Sequence, residues 1–215
     1  MIFDQFSRYK VAANLVRQLE LETKEKILDI GSGPECLFGS FLEEGYVYYV
    51  DPLIEESSNF KISSNIFSQS LDGKQFSVCV AIDVLEHIEE KGRALFLERL
   101  FELSQEHIIL AFPAVENLEA KSTDELLNLS YKKVFGVNYP WLREHFEFGL
   151  PSAKETELFF KNKGWTTQLF GQGHIPWIST LLSKVINIWD IDDCKDLALD
   201  MSREFNNKLS DYDFL

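Results

Sequence analysis

The chain is poor in cysteine and in basic residues, and both shortages narrow the classes to which it can belong. Its three cysteines, Cys36, Cys79 and Cys194, are far apart and form no C-x-x-C pair. That spacing argues against a disulfide framework and a cysteine zinc site, and it suits a reducing compartment. The 21 basic residues face 35 acidic ones, which leaves a formal net charge of −14. Because such a surface repels phosphate backbones, we expect no nucleic acid as the main partner.

Long apolar runs are also missing. No stretch is long enough to span a bilayer, and residues 1–4 start neither the basic region nor the apolar core of a signal peptide. We therefore expect a cytoplasmic protein without a membrane span. The hydrophobic content of 45% and the aromatic content of 13% are those of a globular chain.

Strand and helix patterns alternate along much of the chain. Apolar runs and helical periodicity predict strands at 26–30, 46–50, 61–67, 76–82, 107–112 and 165–170, and helices at 7–20, 34–44, 89–104, 153–163, 177–188 and 194–209. This alternation implies right-handed β-α-β units and an α/β fold with a Rossmann-like, mostly parallel sheet flanked by helices. We predict a single domain, 1–215, with a lid-like insertion at 115–148 and a helical C-terminal part at 177–209.

The first predicted strand ends in an acid and two spaced glycines. Asp29 places a carboxylate at the carboxyl end of the strand, where open α/β sheets bind ligands. Gly31 and Gly33 allow a sharp turn and a close approach of the backbone, because neither has a Cβ. A phosphate-binding turn would avoid the negative charge of Asp29. We therefore expect a ligand with an ammonium group or hydroxyls rather than a dinucleotide.

Four segments in order resemble the class I S-adenosylmethionine-dependent methyltransferases. They are the strand and glycine turn at 27–33, the acid-terminated strand at 48–51, the fourth-strand segment at 76–88, and 145–152 with the following helix. The resemblance implies the class I methyltransferase fold and S-adenosyl-L-methionine as the cofactor. The family sheet usually ends in an antiparallel strand, for which the tail is too short and polar. We therefore expect that strand to be missing, either because the chain is part of a longer protein or because the edge is finished differently.

The resemblance assigns the glycine turn and the second acid to the cofactor. In the family, residues at the positions of Gly31 and Gly33 pass under the methionine part, and an acid at the position of Asp29 orients its ammonium group. Asp51 would accept hydrogen bonds from both ribose hydroxyls. Glu35 stands where the family often has a third glycine. Two interpretations are open for it: a contact with the ammonium group, or a capping box with the serine three positions before it.

Four further cofactor residues follow from the same resemblance. Ile82 and Asp83, at the end of the fourth strand, would bring backbone and an acid close to the sulfonium. Arg8 and Tyr9, on the leading helix, are similar to residues that in some relatives cover the carboxylate end of the cofactor.

Histidines are the candidates for a catalytic base, which accelerates transfer to a hydroxyl by roughly 10²–10⁴-fold. His145 is the first candidate because it ends the insertion, with holding the loop as its alternative role. His87 is the second, with a structural or cofactor-adjacent role as its alternative, and His174 could line the acceptor site from a polar turn. No cluster has metal-ligand spacing, so we expect no metal.

The acceptor is predicted from absences and from a narrower resemblance. Residues 112–115 lack both the Asn/Asp-Pro-Pro-aromatic motif of amino methyltransferases and the Pro-Cys nucleophile of cytosine C5 enzymes. Segment 141–151 resembles methyltransferases of bacterial surface-polysaccharide assembly, which are sometimes fused to glycosyltransferases. We therefore expect an O-methyltransferase acting on a sugar hydroxyl of a bacterial surface glycan or its precursor, with a glycosyltransferase partner. A small-molecule or quinone-type O-methyltransferase and a non-catalytic cofactor-binding module are the alternatives.

Overall fold

The computed structural model describes residues 3–21, 25–42, 46–173 and 175–210. The chain divides into two compact units. We call Tyr9–Phe112 the sheet unit, and Met1–Arg8 with Pro113–Leu215 the helical unit.

The sheet unit contains a five-stranded parallel sheet. Its strands, in chain order, are β1 (Lys26–Ile30), β2 (Tyr46–Val50), β3 (Lys61–Ile62), β4 (Phe76–Ile82) and β5 (Ser104–Ala111). The spatial order is β3-β2-β1-β4-β5, and every ladder among the described residues is parallel. The direction of winding therefore reverses between β1 and β4, which is the switch point at which open α/β sheets bind ligands. All seven residues of β4 are buried, as expected for a central parallel strand.

Two helices accompany the sheet within its unit. α1 (Phe3–Gln18) belongs to the sheet unit from Tyr9 onward, and α2 (Glu90–Leu103) packs on β4 and β5. Four side chains bury the apolar face of α2, namely Phe96, Leu97, Leu100 and Leu103. Three short 3₁₀ turns complete the described part of the unit, at Phe38–Phe41, Gln69–Leu71 and Leu85–His87.

The helical unit is built from five α-helices among its described residues: α3 (Leu118–Phe135), α4 (Arg143–Phe148), α5 (Ala153–Asn162), α6 (Ile175–Trp189) and α7 (Lys195–Ser210). One buried cluster joins α3, the 3₁₀ turn Pro140–Leu142 that precedes α4, and α6 through Leu127, Tyr131, Leu142 and Ile186. The Tyr131 hydroxyl donates to Asp190 Oδ2 at 2.5 Å, and this bond raises the pKa of the phenol to about 12. Within the described ranges, no helix combines the length and the apolar character needed to cross a membrane.

Three of the predicted elements are absent or much shorter in the described residues, and the bounds of others shift by up to four residues. The helix predicted at 34–44 is wrong over its described part, 34–42, because Cys36 has a positive φ of 53° that an α-helix cannot continue through, and only the 3₁₀ turn Phe38–Phe41 follows there. The capping-box interpretation of Glu35 falls with it, because no α-helix begins here to be capped; the Ser32 hydroxyl donates to the Gly33 carbonyl at 3.1 Å. The strand predicted at 61–67 shrinks to Lys61–Ile62.

The predicted strand at 165–170 is also wrong. The described segment has no strand, and both Leu169 and Phe170 are exposed. Thr167 turns its hydroxyl toward α5 instead and donates to Glu157 Oε1 at 2.9 Å. The segment at 115–148 forms α3 and α4, while its role as a lid and the single-domain organisation stay predictions.

Candidate cofactor site

Asp29 lies next to the switch point of the sheet and is almost completely buried. Its neighbours in the ladder are Tyr49 on β2 and Val80 on β4. The residue is 2% exposed, and its Oδ2 has no hydrogen-bond partner among the described residues. Burial, and then the nearby charge of Asp51, raise the pKa of this carboxyl to about 8. An unpaired buried acid is costly, so its position indicates a ligand that supplies the missing partner.

The glycine turn leaves the sheet directly after β1. Gly31 has a φ of +70° and donates its N–H to the Val50 carbonyl at 2.8 Å. A Cβ on Gly31 would clash with Cγ2 of Val84. Gly33 also has a positive φ, +66°. Only glycine therefore fits at position 31, where both the backbone conformation and the space exclude a side chain.

Asp51 connects the end of β2 to the glycine turn. The residue is 7% exposed. Its Oδ2 accepts the Gly33 N–H at 2.9 Å, and its Oδ1 accepts the Leu53 N–H at 2.7 Å. Because each carboxylate oxygen has two acceptor positions, one position on each oxygen is available for a hydroxyl of a ligand.

The end of β4 supplies a second strained segment of the sheet unit. Ile82 is buried, and Asp83 has a positive φ of 52° with its N–H donated to the Ala111 carbonyl at 2.8 Å. His87 ends the following 3₁₀ turn and donates its backbone N–H to the Val84 carbonyl at 3.0 Å. A non-glycine residue at positive φ is strained, and such strain is concentrated at functional sites.

The structure brings only some of the predicted residues together. Asp29, Gly31, Gly33 and Asp51 form one connected set. Ile82 ends β4, the strand next to β1, and Asp83 follows it directly. The Glu35 carboxylate lies in the same turn, with Oε2 at 3.5 Å from where a Cβ on Gly33 would stand. Its contact with the ammonium group of the cofactor stays a prediction.

The two residues predicted on the leading helix have other contacts. In the helical unit, Arg8 Nη2 lies 2.8 Å from Asp4 Oδ2. In the sheet unit, the Tyr9 ring is buried edge-on against Phe38 and Phe41, with ring centroids 6.1 and 5.7 Å away. Their role at the carboxylate end of the cofactor stays a prediction. His174 lies outside the described residues.

His145, in the helical unit, pairs with an acid that sequence reasoning missed. Its Nδ1 lies 2.9 Å from Oδ2 of Asp124 on α3. The side chains are 12% and 15% exposed, respectively. The two residues are 21 positions apart, so no helical or strand period could have paired them.

The insertion is tied at its two ends by backbone and side-chain bonds within the helical unit. Val115 donates its N–H to the Pro151 carbonyl at 2.9 Å. Glu116 accepts the Ser152 hydroxyl at 2.6 Å and the N–H groups of the next two residues at 3.0 and 3.1 Å. These bonds, the Ser152 hydroxyl foremost, lower the pKa of Glu116 to about 2. Ser152 also caps the start of α5, since its hydroxyl accepts the Glu155 N–H at 3.1 Å.

Comparisons with known proteins give the fold. Neither a protein-family model nor a curated protein matches the chain. Among solved structures, the chain is similar to the cyclopropane synthase MmaA2 from Mycobacterium tuberculosis, at 14% identity over 93% of this chain and 75% of that one, with a TM-score of 0.54. It is also similar to the mycolic acid cyclopropane synthase CmaA1 complexed with SAH and CTAB, at 13% identity over the same shares, with a TM-score of 0.51.

A third structure, of the small RNA methyltransferase HEN1, is similar at 16% identity over 81% of this chain and 24% of that one, with a TM-score of 0.51. Sequence identities this low indicate the fold and do not identify the substrate. The predicted sheet is confirmed in these comparisons: the chain has the class I methyltransferase fold, with a mostly parallel five-stranded sheet flanked by helices.

Proposed function

We propose that the chain is an S-adenosyl-L-methionine-dependent methyltransferase that transfers a methyl group to a hydroxyl. One observation carries the proposal: the unpartnered buried oxygen of Asp29 lies at the switch point of the sheet, beside a glycine turn that Asp51 holds in place. This combination suits a ligand with a positive charge at one end and paired hydroxyls at the other. S-adenosyl-L-methionine has both, and a dinucleotide phosphate would be repelled by the two acids.

Each residue of the set has a definite task in this proposal. Asp29 faces the ammonium group of the cofactor and ionises when that charge is present. Gly31 and Gly33, at positive φ, form the turn that passes under the methionine part, as the family resemblance implies. Asp51 accepts the ribose hydroxyls with the two acceptor positions that its backbone bonds leave over.

The cofactor's charged centre and its carboxylate are assigned to four other residues. Ile82 and Asp83 line the sulfonium, where the acid favours the cationic cofactor over the neutral product. Arg8 and Tyr9 cover the carboxylate end. These assignments come from the family resemblance and from the position of Asp83 at the end of β4.

Isothermal titration calorimetry with S-adenosyl-L-methionine tests the cofactor. Removing a charged hydrogen-bond partner costs about 1.5–3 kcal/mol, so Asp29→Asn and Asp51→Ala should each weaken Kd by roughly 10- to 100-fold. Glu106→Gln is the matched control, since this exposed acid lies near the opposite end of β5. Absence of binding in the wild type, or equal affinities in all variants, would refute the proposed cofactor site.

The chemical step needs alignment and a base. S-adenosyl-L-methionine supplies the electrophilic methyl carbon. The cofactor would leave as S-adenosylhomocysteine once its methyl group is bonded to the acceptor oxygen, and His145 would take the hydroxyl proton of the acceptor. We expect His145→Ala to lower kcat by roughly 10²–10⁴-fold with little change in KM. If His145→Ala keeps full turnover while His87→Ala loses it, His87 is the base instead.

The acceptor that we propose is a sugar of a bacterial surface glycan or its precursor. Trp141 and Phe146, which flank His145 in sequence, are both exposed, and the Trp141 side chain is 66% accessible. Aromatic faces of this kind stack on the apolar faces of sugars, and exposed tryptophan is otherwise uncommon. The net charge of −14 argues against RNA as the acceptor. A glycosyltransferase that makes the same glycan is the partner that this reading implies.

A panel of acceptors separates the rival functions. Formation of S-adenosylhomocysteine would be measured with sugar nucleotides, a lipid-linked glycan, a quinol, an unsaturated phospholipid and a small RNA. The phospholipid is included because two of the similar structures are cyclopropane synthases. Turnover with the quinol alone would favour the quinone-type enzyme. Cofactor binding without turnover on any hydroxyl acceptor would favour the non-catalytic module.

A further inference from the structure

We propose that a cleft beside α2 is a docking surface for a basic segment of another protein, which inserts an arginine or lysine side chain. The cleft lies wholly within the sheet unit, between α2 and the chain that connects β3 to β4. We call it the α2 cleft, and six residues line it: Phe67, Asp72, Leu95, Glu98, Arg99 and Glu102. None of them belongs to the candidate cofactor site, so the proposal does not depend on the proposed function.

Four of the lining residues form one stripe along α2. Leu95, Glu98, Arg99 and Glu102 follow each other at intervals of three or four positions or are adjacent, so they lie on the same side of the helix. The apolar face that packs α2 on the sheet is formed by other side chains. Leu95 and Glu102 are exposed. The stripe is therefore available to a partner without any loss of the packing that holds α2.

Arg99 joins the two walls of the α2 cleft. Its Nη2 lies 2.7 Å from Asp72 Oδ1, and its Nε donates to the Ile66 carbonyl at 3.3 Å. Its Nη1 lies 3.0 Å from Glu102 Oε2 on the same helix. The arginine side chain is only 17% exposed. Because the guanidinium holds the loop against the helix, the cleft is formed before a partner binds, and binding requires less ordering of the protein.

The loop wall presents an aromatic ring on a fixed backbone. Ile66 and Leu71 are buried and anchor the loop to the sheet unit. The Phe67 N–H donates to Asn65 Oδ1 at 2.9 Å. The Phe67 ring is nevertheless 46% exposed, and Leu95 on the helix wall is 62% exposed. Apolar side chains that are held in this way gain free energy when a partner covers them.

The charges of the α2 cleft determine which partner fits. Its lining has three acids and one arginine, so negative charge is in excess by two. The arginine is already paired with two of these acids. An inserted arginine or lysine complements the lining, because its apolar stem packs on Phe67 and Leu95 while its charged end reaches the carboxylates. A second copy of the chain, with a net charge of −14, would be repelled.

The size of the cleft favours one side chain over a whole metabolite. Its volume of about 230 Å³ is below the roughly 300–1,000 Å³ of pockets for small molecules. We therefore expect one anchoring side chain, with the neighbouring residues of the partner lying on the surface around it. An interface of this size is small, and small interfaces are typical of weak, transient complexes.

Fluorescence anisotropy with a labelled peptide tests the docking surface. The probe is a short peptide of alternating arginine and leucine residues, and the same peptide with glutamate in place of arginine is its control. We expect saturable binding of the arginine peptide and no binding of the glutamate peptide. Leu95→Ala and Glu98→Lys should each weaken Kd by roughly 5- to 30-fold, as anchoring residues of an interface do. Both side chains lie outside the buried face of α2, so the variants should fold, which circular dichroism would verify.

Two variants elsewhere in the chain control for general attraction to an acidic protein. Leu169→Ala changes a leucine of matched exposure, 61%, in the helical unit. Glu56→Lys makes the same charge reversal at an exposed position between β2 and β3. Both variants should bind the arginine peptide as the wild type does. Equal weakening by Glu98→Lys and Glu56→Lys would indicate diffuse attraction and overturn the proposal, as would an unchanged affinity in Leu95→Ala.

Analytical ultracentrifugation distinguishes a partner protein from a second copy. Self-association of the wild type that Leu95→Ala abolishes would assign the α2 cleft to a dimer and overturn the proposal, whereas a monomer in both supports it. Absence of saturable peptide binding would also overturn it. The peptide is tested without cofactor, so failure to bind S-adenosyl-L-methionine would count against the proposed function alone.

Discussion

Replacing Asp29 by asparagine should stabilise the ligand-free protein at neutral and alkaline pH. The carboxyl has its pKa raised from 3.8 to about 8, with burial as the main cause. Each pKa unit corresponds to about 1.4 kcal/mol, so ionising this group in the folded state costs up to about 6 kcal/mol above the folded pKa. Asparagine has nearly the same shape and never ionises, so the variant avoids that cost.

The sign and the pH window follow from the two protonation states. The folded protein retains the proton until about pH 8, whereas the unfolded chain loses it near pH 3.8. As pH rises between these values, ionisation favours the unfolded state, and the wild type loses stability. Below the lower value the group is protonated in both states, and its ionisation has no effect on stability.

Urea denaturation from about pH 5 to about pH 8 measures the effect. The difference in unfolding free energy between Asp29→Asn and the wild type should grow by up to about 4 kcal/mol across that interval, because it spans roughly three pKa units. Glu106→Gln, which changes an exposed acid, should follow the wild-type curve. A difference that stays constant with pH would refute the argument that Asp29 is protonated in the folded protein.

The same carboxyl links cofactor binding to a proton. At about pH 7 a group with a pKa of about 8 is mostly protonated, and an ammonium group placed beside it favours the ionised form. Binding of S-adenosyl-L-methionine should therefore release a proton. Calorimetry in phosphate and in Tris, which differ in ionisation heat, would show different binding enthalpies for the wild type and equal ones for Asp29→Asn.

Three further substitutions test local interactions that stabilise the two units. Gly31→Ala should lower the free energy of unfolding, measured by urea denaturation, by roughly 2–4 kcal/mol, because the new Cβ clashes with Val84 and the backbone has a positive φ. Gly73→Ala is the control: its φ is also +70° but the space around it is open, so the loss should be about 1–2 kcal/mol. Glu116→Gln should lower stability by about 1 kcal/mol at neutral pH through the cap it weakens. In thermal melts that difference should shrink as pH falls from 4.5 through about 2, where the wild-type carboxylate is protonated. Tyr131→Phe should lower the free energy of unfolding by about 1–3 kcal/mol, because it removes a partly buried hydrogen bond to a carboxylate. Tyr46→Phe, at an exposed ring, should have almost no effect.

The central strands could be predicted to the residue. β1, β2 and β4 have the predicted bounds, because strands with helices or further strands around them are buried and appear in the sequence as continuous apolar runs. The acids and glycines that follow β1 and β2 could be placed at one edge of the sheet, because parallel strands have their carboxyl ends on the same side. In the structure, the hydrogen bond from the Gly33 N–H to Asp51 Oδ2 joins the residues after β1 to those after β2, in agreement with this placement.

The failures have a different origin. The helix predicted at 34–44 has the right periodicity, but Cys36 is at positive φ, and no residue preference identifies a cysteine as a left-handed position. Asp124 was missed because its pairing with His145 depends on how α3 packs near α4, which no local pattern records. Both failures come from tertiary packing overriding or adding to local preference.

Energetically unfavourable features are concentrated around the glycine turn of the sheet unit. Asp29 is buried without a partner for Oδ2, and Cys36 and Asp83 are non-glycine residues at positive φ. Each raises the free energy of the folded state, by about 1–3 kcal/mol for each strained residue. The buried apolar sheet around β4 has to offset these costs in the ligand-free protein. A cationic ligand that ionises Asp29 while bound to it would relieve the largest of them. Binding must then also remove the proton from Asp29, which costs free energy at any pH below the pKa of this carboxyl. The measured affinity for the cofactor should therefore increase with pH up to about that pKa. This increase should disappear in Asp29→Asn.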